Sequence, residues 1–305
     1  MRTIIVILAF WALIFFGCTD DDPPTQNPPA NTTLSLNISG LEDLGSSARY
    51  EGWIIVPTLS KSTGVVEDTP VSTGVFTVNS SGTLSQTDFE VGATNLANAT
   101  TFVLTIEPNP DSDPAPSDIH ILGGNFSGNS STISVSHPAA LGNDFNSATG
   151  TYILATPTDG AMTNENSGIW FLDLSSGSPA QGLFLPTLPA GWNYEGWTVI
   201  NGMPVTTGTF TSTTSVDDAD PYSSTMPGPP FPGEDFLINA PMGLTFPTDI
   251  AGGTAVISIE PDPDNSPNPF TLKPLVGSIP MTATDHFNYN MNANLSSFPT
   301  GTVTR

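Results

Sequence analysis

An internal duplication constrains this chain more than any other feature. Leu41-Glu42-Asp43-Leu44 followed by Tyr50-Glu51-Gly52-Trp53 recurs as Leu185-Pro186-Thr187-Leu188 followed by Tyr194-Glu195-Gly196-Trp197, at an offset of 144. Thr69-Pro70-Val71-Ser72-Thr73-Gly74-Val75-Phe76 matches Met203-Pro204-Val205-Thr206-Thr207-Gly208-Thr209-Phe210 at an offset of 134, the difference being a longer connection after the first Trp. Val103-Leu104-Thr105-Ile106-Glu107-Pro108 then matches Val256-Ile257-Ser258-Ile259-Glu260-Pro261 at an offset of 153, and the register runs on through Asp111/Asp264, Leu122/Leu275 and Gly124/Gly277. Blocks repeated in one order describe two copies, each of about 120 to 140 residues and large enough for its own core. The period is too long for a solenoid and suits tandem domains.

Within each copy the segments have strand character. Residues 101–106 and 254–259 mix β-branched and apolar side chains and stop at Glu-Pro, while Leu34, Leu36 and Ile38 alternate with polar neighbours. With 28 Gly and 30 Pro in 305 residues, short strands and many turns are favoured over long helices. The expected fold is all-β: two tandem antiparallel β-sandwich (Ig-like) domains behind a lipoprotein signal and an acidic linker. The division is 1–17 signal, 18–32 tether, 33–160 first repeat and 161–305 second repeat. The seam falls in the polar stretch 158–167, and a final strand crossing between the copies would move it by about ten residues.

The amino terminus has the form of an export signal. Arg2 precedes an unbroken apolar run from Ile4 to Phe16, shorter than the roughly 20 residues of a membrane span. Gly17-Cys18 after that run resembles the lipobox of bacterial lipoproteins, with Phe15 where Leu is usual; the resemblance implies lipidation of Cys18, the only cysteine. A lone thiol in an exported chain has no disulfide partner, and two or more acyl chains give stable anchoring where one does not. Thr19-Asp20-Asp21-Asp22-Pro23-Pro24 resembles the acidic tag that directs lipoproteins of Bacteroidetes-type bacteria to the cell surface; the same composition serves equally as a spacer from anionic headgroups. The expected location is the envelope, at the outer membrane or cell surface, with membrane lipid as a partner through Cys18.

The order Leu-x-x-Leu-Pro-x-Gly, Tyr-x-x-Trp, Gly-x-Pro-Val-x-x-Gly-x-Phe and Val-x-Ile-Glu-Pro, clearest at residues 185–191, 194–197, 202–210 and 256–261, resembles the extracytoplasmic domain of the RskA family of anti-sigma-K factors. The resemblance covers most of both copies. It implies an all-β domain facing outward. It does not imply sequestration of a sigma factor, because the family's helical sigma-binding segment and its membrane helix have no counterpart in these motifs.

Chemistry is sparse. A net charge of −24, from 5 Lys plus Arg against 29 Asp plus Glu, excludes a nucleic-acid binder. The three histidines are not repeated, and no Gly-x-Ser-x-Gly, His-Glu-x-x-His or phosphate-loop motif occurs, so no enzyme is expected. The aromatic residues Tyr50, Trp53, Tyr194, Trp197 and Trp192 are candidates for ligand stacking or for the core. Tyr and Trp three apart on a strand face opposite ways. Trp53 and Trp197, being repeated, are expected in equivalent buried positions; Trp192, aligned with Ala48, is expected to be the more exposed, and with Trp170 it offers a glycan platform. Glu51 and Glu195 recur and can take backbone N–H groups or a ligand. The turns after Glu107 and Glu260 place carboxylates at Glu107 and Asp111, and at Glu260, Asp262 and Asp264, on Pro-stiffened loops. Turn structure is the expectation there, with no cofactor, and calcium is the alternative. The function expected is a binding, sensing or scaffolding module toward an envelope protein, with glycan binding or adhesion as the second possibility.

Overall fold

In the computed structural model, which describes residues 31–160, 163–264 and 266–305, the long central strands are buried on both faces, and alternation of buried with exposed side chains is confined to strands such as the first, Thr33–Ser39. The signal, Cys18 and the tether up to Ala30 lie outside the described residues. The first half contains β1 (Thr33–Ser39), β2 (Ala48–Leu59), β3 (Val66–Phe76), β4 (Asp88–Glu90), a short helix α1 (Ala93–Asn98), β5 (Thr101–Pro108), β6 (His120–Asn125), β7 (Ser130–Ser134) and β8 (Thr149–Leu154). The second contains β9 (Gly168–Trp170), β10 (Leu172–Asp173), β11 (Ala180–Gln181), β12 (Leu183–Phe184), β13 (Trp192–Ile200), β14 (Met203–Phe210), β15 (Gly233–Asp235), β16 (Thr254–Pro261), β17 (Leu275–Ser278), β18 (Tyr289–Ala293) and β19 (Thr300–Thr304).

These strands make two antiparallel sheets of the same design. One runs β3-β2-β5-β6-β7-β19-β1-β4; the other runs β14-β13-β16-β17-β18-β8-β9-β15, with β12 added against β8. In each, the strands at the two ends of the path return into contact, so the sheet curls into a near-barrel sandwich. The expected all-β architecture is therefore present twice. On β2 the residues Tyr50, Ile54 and Val56 point into the core, and on β5 Phe102, Leu104 and Ile106 do the same. Tyr50 stacks on Phe76 with ring centroids 5.5 Å apart, and Tyr194 stacks on Phe210 at 5.6 Å, which explains why Tyr and the Phe of Gly-x-Phe recur together.

Sheet membership does not follow the division at residue 160. The last strand of each copy has crossed: β8 (Thr149-Gly150-Thr151 and on) sits between β18 and β9 in the second sheet, while β19 (Thr300-Gly301-Thr302 and on) sits between β7 and β1 in the first. β19 is paired on both sides, Val303 with Leu36 and Val303 with Ser131, so the final strand closes the sheet that the first strand opened. Most buried apolar side chains of both sheets merge into one contiguous cluster, a smaller second cluster gathering around Ile153, Trp170 and Phe231, and residues 31–305 form one compact unit. Neither copy has all its strands without the other.

Candidate functional site

The face of each sheet turned away from the Tyr50 or Tyr194 ring carries the repeated polar residues. On β2 this face holds Arg49, Glu51 and Trp53, standing opposite Glu107, Thr105 and Val103 of β5. On β13 it holds Asn193, Glu195 and Trp197, standing opposite Glu260, Ser258 and Val256 of β16. Trp53 and Trp197 are 4% and 2% exposed, in equivalent positions as expected. Each indole Nε1 donates to the facing hydroxyl, Trp53 to Thr105 Oγ1 at 2.9 Å and Trp197 to Ser258 Oγ at 2.8 Å. That hydroxyl donates in turn to a glutamate, Thr105 to Glu107 and Ser258 to Glu260. The glutamates also fasten the following loop, through the backbone N–H of Ser117 at 3.0 Å and of Phe270 at 2.9 Å. Glu51 and Glu195 accept from Ser72 and Thr206 on the neighbouring strand. The Glu-Pro glutamates are thus buried acceptors that hold down loops rather than solvent-facing ligands.

Gly52 and Gly196 complete the motif. β3 and β14 each carry a bulge opposite the glycine, leaving Thr73 and Thr207 as the extra residue. A Cβ on Gly52 would lie 2.5 Å from Thr73 Oγ1 and 3.1 Å from the Phe102 ring, and Gly196 is packed more tightly still against Thr207 and Phe171.

The two copies differ in charge on this face. In the second, Glu195, Glu260 and Asp264 bring one carboxylate oxygen each to within 4.8 Å of one another. Burial, reinforced by the mutual repulsion of these acids, pushes Glu195 up to about 8 and Glu260 up to about 7, against the hydrogen bonds from Thr206 and Ser258 that pull them down. Of the five carboxylates named from sequence as calcium ligands, Glu260 and Asp264 come together. Asp262 is exposed, and Glu107 and Asp111 belong to the other copy. Glu195 joins them only because β13 pairs with β16.

A cavity of 780 Å³ opens between the copies. Leu44, Ala48, Ile106 and Ile119 line it from the first, and Pro261, Pro263, Pro267 and Phe270 from the second; Glu42, Asp43, Glu107, Asp118, Asp262 and Asp264 add carboxylates, and among the described residues no lining residue is basic. The copies are tied beside it: Thr271 N donates to Glu42 Oε2 at 2.6 Å, and burial raises the pKa of that glutamate. The repeat explains part of the space. Trp192 and Phe270 pack with centroids 6.1 Å apart, whereas the aligned positions in the first copy are the small Ala48 and Ser117, both on the cavity wall.

Trp192 is 3% exposed, which corrects the expectation that it stands free. A residue outside the repeated pattern fills the core of its own copy alone. Trp170 is also buried, its Nε1 donating to Asp235 Oδ1 at 2.8 Å, and Asp235 takes two further bonds from Thr158. The glycan platform built on these two rings is therefore absent. Comparison with family models, curated proteins and solved structures gives no match for this chain.

Proposed function

We propose that this chain is a non-enzymatic envelope lipoprotein, anchored through Cys18, whose duplicated β-domains bind a partner in the cleft between the copies. The observation that carries this reading is the 780 Å³ cavity, to which both copies contribute and which, among the described residues, is walled by prolines, aliphatic side chains and carboxylates without a basic residue. Concave, mainly apolar sites with a few convergent polar groups are the usual form of a binding site. This lining selects a positively charged ligand with an apolar body, such as a basic, hydrophobic segment of an envelope protein. An outward-facing location, which the resemblance to the RskA family implies, is in keeping with such a role. Sigma-factor binding is not part of the proposal.

The test uses Trp192, whose partner Phe270 lines the cavity. A short peptide alternating Lys and Leu should change the protein's tryptophan fluorescence saturably, and Asp43→Lys with Asp118→Lys should weaken that response at least tenfold. A response to neutral polysaccharide with none to the peptide would overturn the reading in favour of glycan binding. Retention of Cys18→Ala protein in the membrane fraction would remove the anchor.

A further inference from the structure

The two copies differ in charge at one position of this repeated face, Arg49 in the first and Asn193 in the second. In the first, Arg49 stands opposite Glu107 and two residues from Glu51 on one face of β2, although among the described residues it forms no ion pair with either and its Nε is buried without a hydrogen-bond partner. In the second, the aligned residue is Asn193, opposite Glu260 and two residues from Glu195. The glutamates have been kept and the cation has not.

The consequence is visible at the atoms. Glu195 and Glu260 are 5% and 1% exposed. Each uses Oε1 for a hydroxyl, and Glu260 Oε1 also accepts the Phe270 N–H; the Oε2 of both is buried without a hydrogen-bond partner. Buried carboxylate oxygens left unpaired are costly. Asp264, half-buried and on the cavity wall, adds the third carboxylate within 4.8 Å. The nearby cation, Lys273, donates its Nζ to the Phe270 carbonyl at 2.6 Å and forms no ion pair with these acids among the described residues.

We infer that Glu195, Glu260 and Asp264 form a divalent-cation site of the calcium type, in which a bound ion engages the glutamate oxygens that have no hydrogen-bond partner. The donor set is entirely carboxylate oxygen, the choice of hard ions such as Ca²⁺ and unsuited to soft metals. Oxygens held within 4.8 Å fit a shell of ligands at roughly 2.3–2.6 Å from a common ion. Asp264 on the cavity wall gives the ion a way in and leaves room for water to complete its coordination. The raised pKa values of Glu195 and Glu260 describe the same acids with no ion among them. The other such cluster among the described residues, two carboxylates and an imidazole from Glu165, Asp285 and His286, is not comparable: it is partly exposed, and His286 is already paired with Asp285 at 2.8 Å. This inference does not rest on the cleft being a binding site.

The experiment is a terbium titration of the chelator-treated whole chain, since Tb³⁺ replaces Ca²⁺ and Trp197 reaches Glu260 through one hydroxyl. Excitation of tryptophan should give terbium emission that saturates at one ion per chain and is displaced by Ca²⁺. Glu195→Gln keeps the oxygen that accepts from Thr206 and should weaken binding at least tenfold, as should Asp264→Asn. Asn193→Arg, which supplies the first copy's cation, should abolish binding while leaving the circular dichroism spectrum and melting unchanged or improved. Absence of saturable emission up to millimolar Tb³⁺ would overturn the site. So would emission that survives Glu195→Gln and Asn193→Arg in folded protein, because the ion would then lie elsewhere on the acidic surface.

Discussion

The indole of Trp53 and the hydroxyl of Thr105, 2.9 Å apart across two strands, form the middle of a relay that ends on Glu107, and the relay is duplicated at Trp197, Ser258 and Glu260. The tryptophan supplies bulk and also a donor that leaves the hydroxyl proton free for the glutamate. Trp53→Ala should cost about 3–5 kcal/mol, the range for deleting a large buried aromatic. Trp53→Phe keeps most of the volume and loses only the N–H, and should cost about 1–2 kcal/mol. Chemical denaturation of the two variants separates packing from hydrogen bonding; a Trp53→Phe variant as stable as the wild type would mean that the N–H contributes nothing.

Exchange of the final strands makes the halves interdependent. Val303 is fully buried in a strand paired on both sides within the first sheet, although it follows all of the second copy in sequence. The whole chain should melt in one transition reported alike by any probe. Removing residues 299–305 should lower the stability of the second copy as well as the first, through the shared core. Two separate transitions in the intact protein, with only one moved by the deletion, would show independent domains instead.

Much of this was legible in the repeated blocks. Strand ends at Glu-Pro, the opposite facing of Tyr50 and Trp53, and the burial of Trp53 and Trp197 follow from a period of two and from one fold answering to both copies. The strand exchange was legible only as a crossing that would shift the seam; which sheet each final strand joins was not, because Thr-Gly-Thr at 149–151 and 300–302 is too short to mark a strand's partner. Trp192 was misplaced for a related reason. Alignment with Ala48 shows that its position is not shared, and says nothing about whether Phe270 waits to pack on it. Glu195 was visible as a repeated residue, but its approach to Glu260 and Asp264 is a matter of register between β13 and β16.

Gly52 and Thr73 form a second pair that the repeat preserves at Gly196 and Thr207. Gly52→Ala places a methyl 2.5 Å from Thr73 Oγ1, an overpacking that should cost about 1–3 kcal/mol. Thr73 Oγ1 is buried without a hydrogen-bond partner, so Thr73→Ala removes the clash and an unsatisfied hydroxyl together. The double variant should recover most of the loss, with only the 3.1 Å contact to Phe102 remaining. A double-mutant cycle in denaturant measures the coupling, and strict additivity would show that the bulged threonine is not what excludes a side chain there.

Stability should fall as pH rises from about 4 to about 8. Asp217 accepts a hydrogen bond from Gly233 N at 2.9 Å and is pushed up to about 8, chiefly by burial and then by the charges of Glu234 and Asp218. A carboxyl whose folded pKa is raised holds its proton in the native state after the unfolded chain has released it. Its stabilising contribution is complete below the ordinary value of 3.8 and is lost as pH climbs through the folded value. Glu234, raised to about 7, acts in the same direction, as do Glu195 and Glu260 when no ion is present. His137, lowered by burial, opposes them in the same window. Thermal melts in chelator should therefore show a midpoint that declines from pH 5 to pH 8.5. Asp217→Asn keeps an acceptor for Gly233 and has no proton to lose, so its midpoint should decline less steeply. A wild-type midpoint that is flat or rising over this range would mean that Asp217 is ionised in the folded protein.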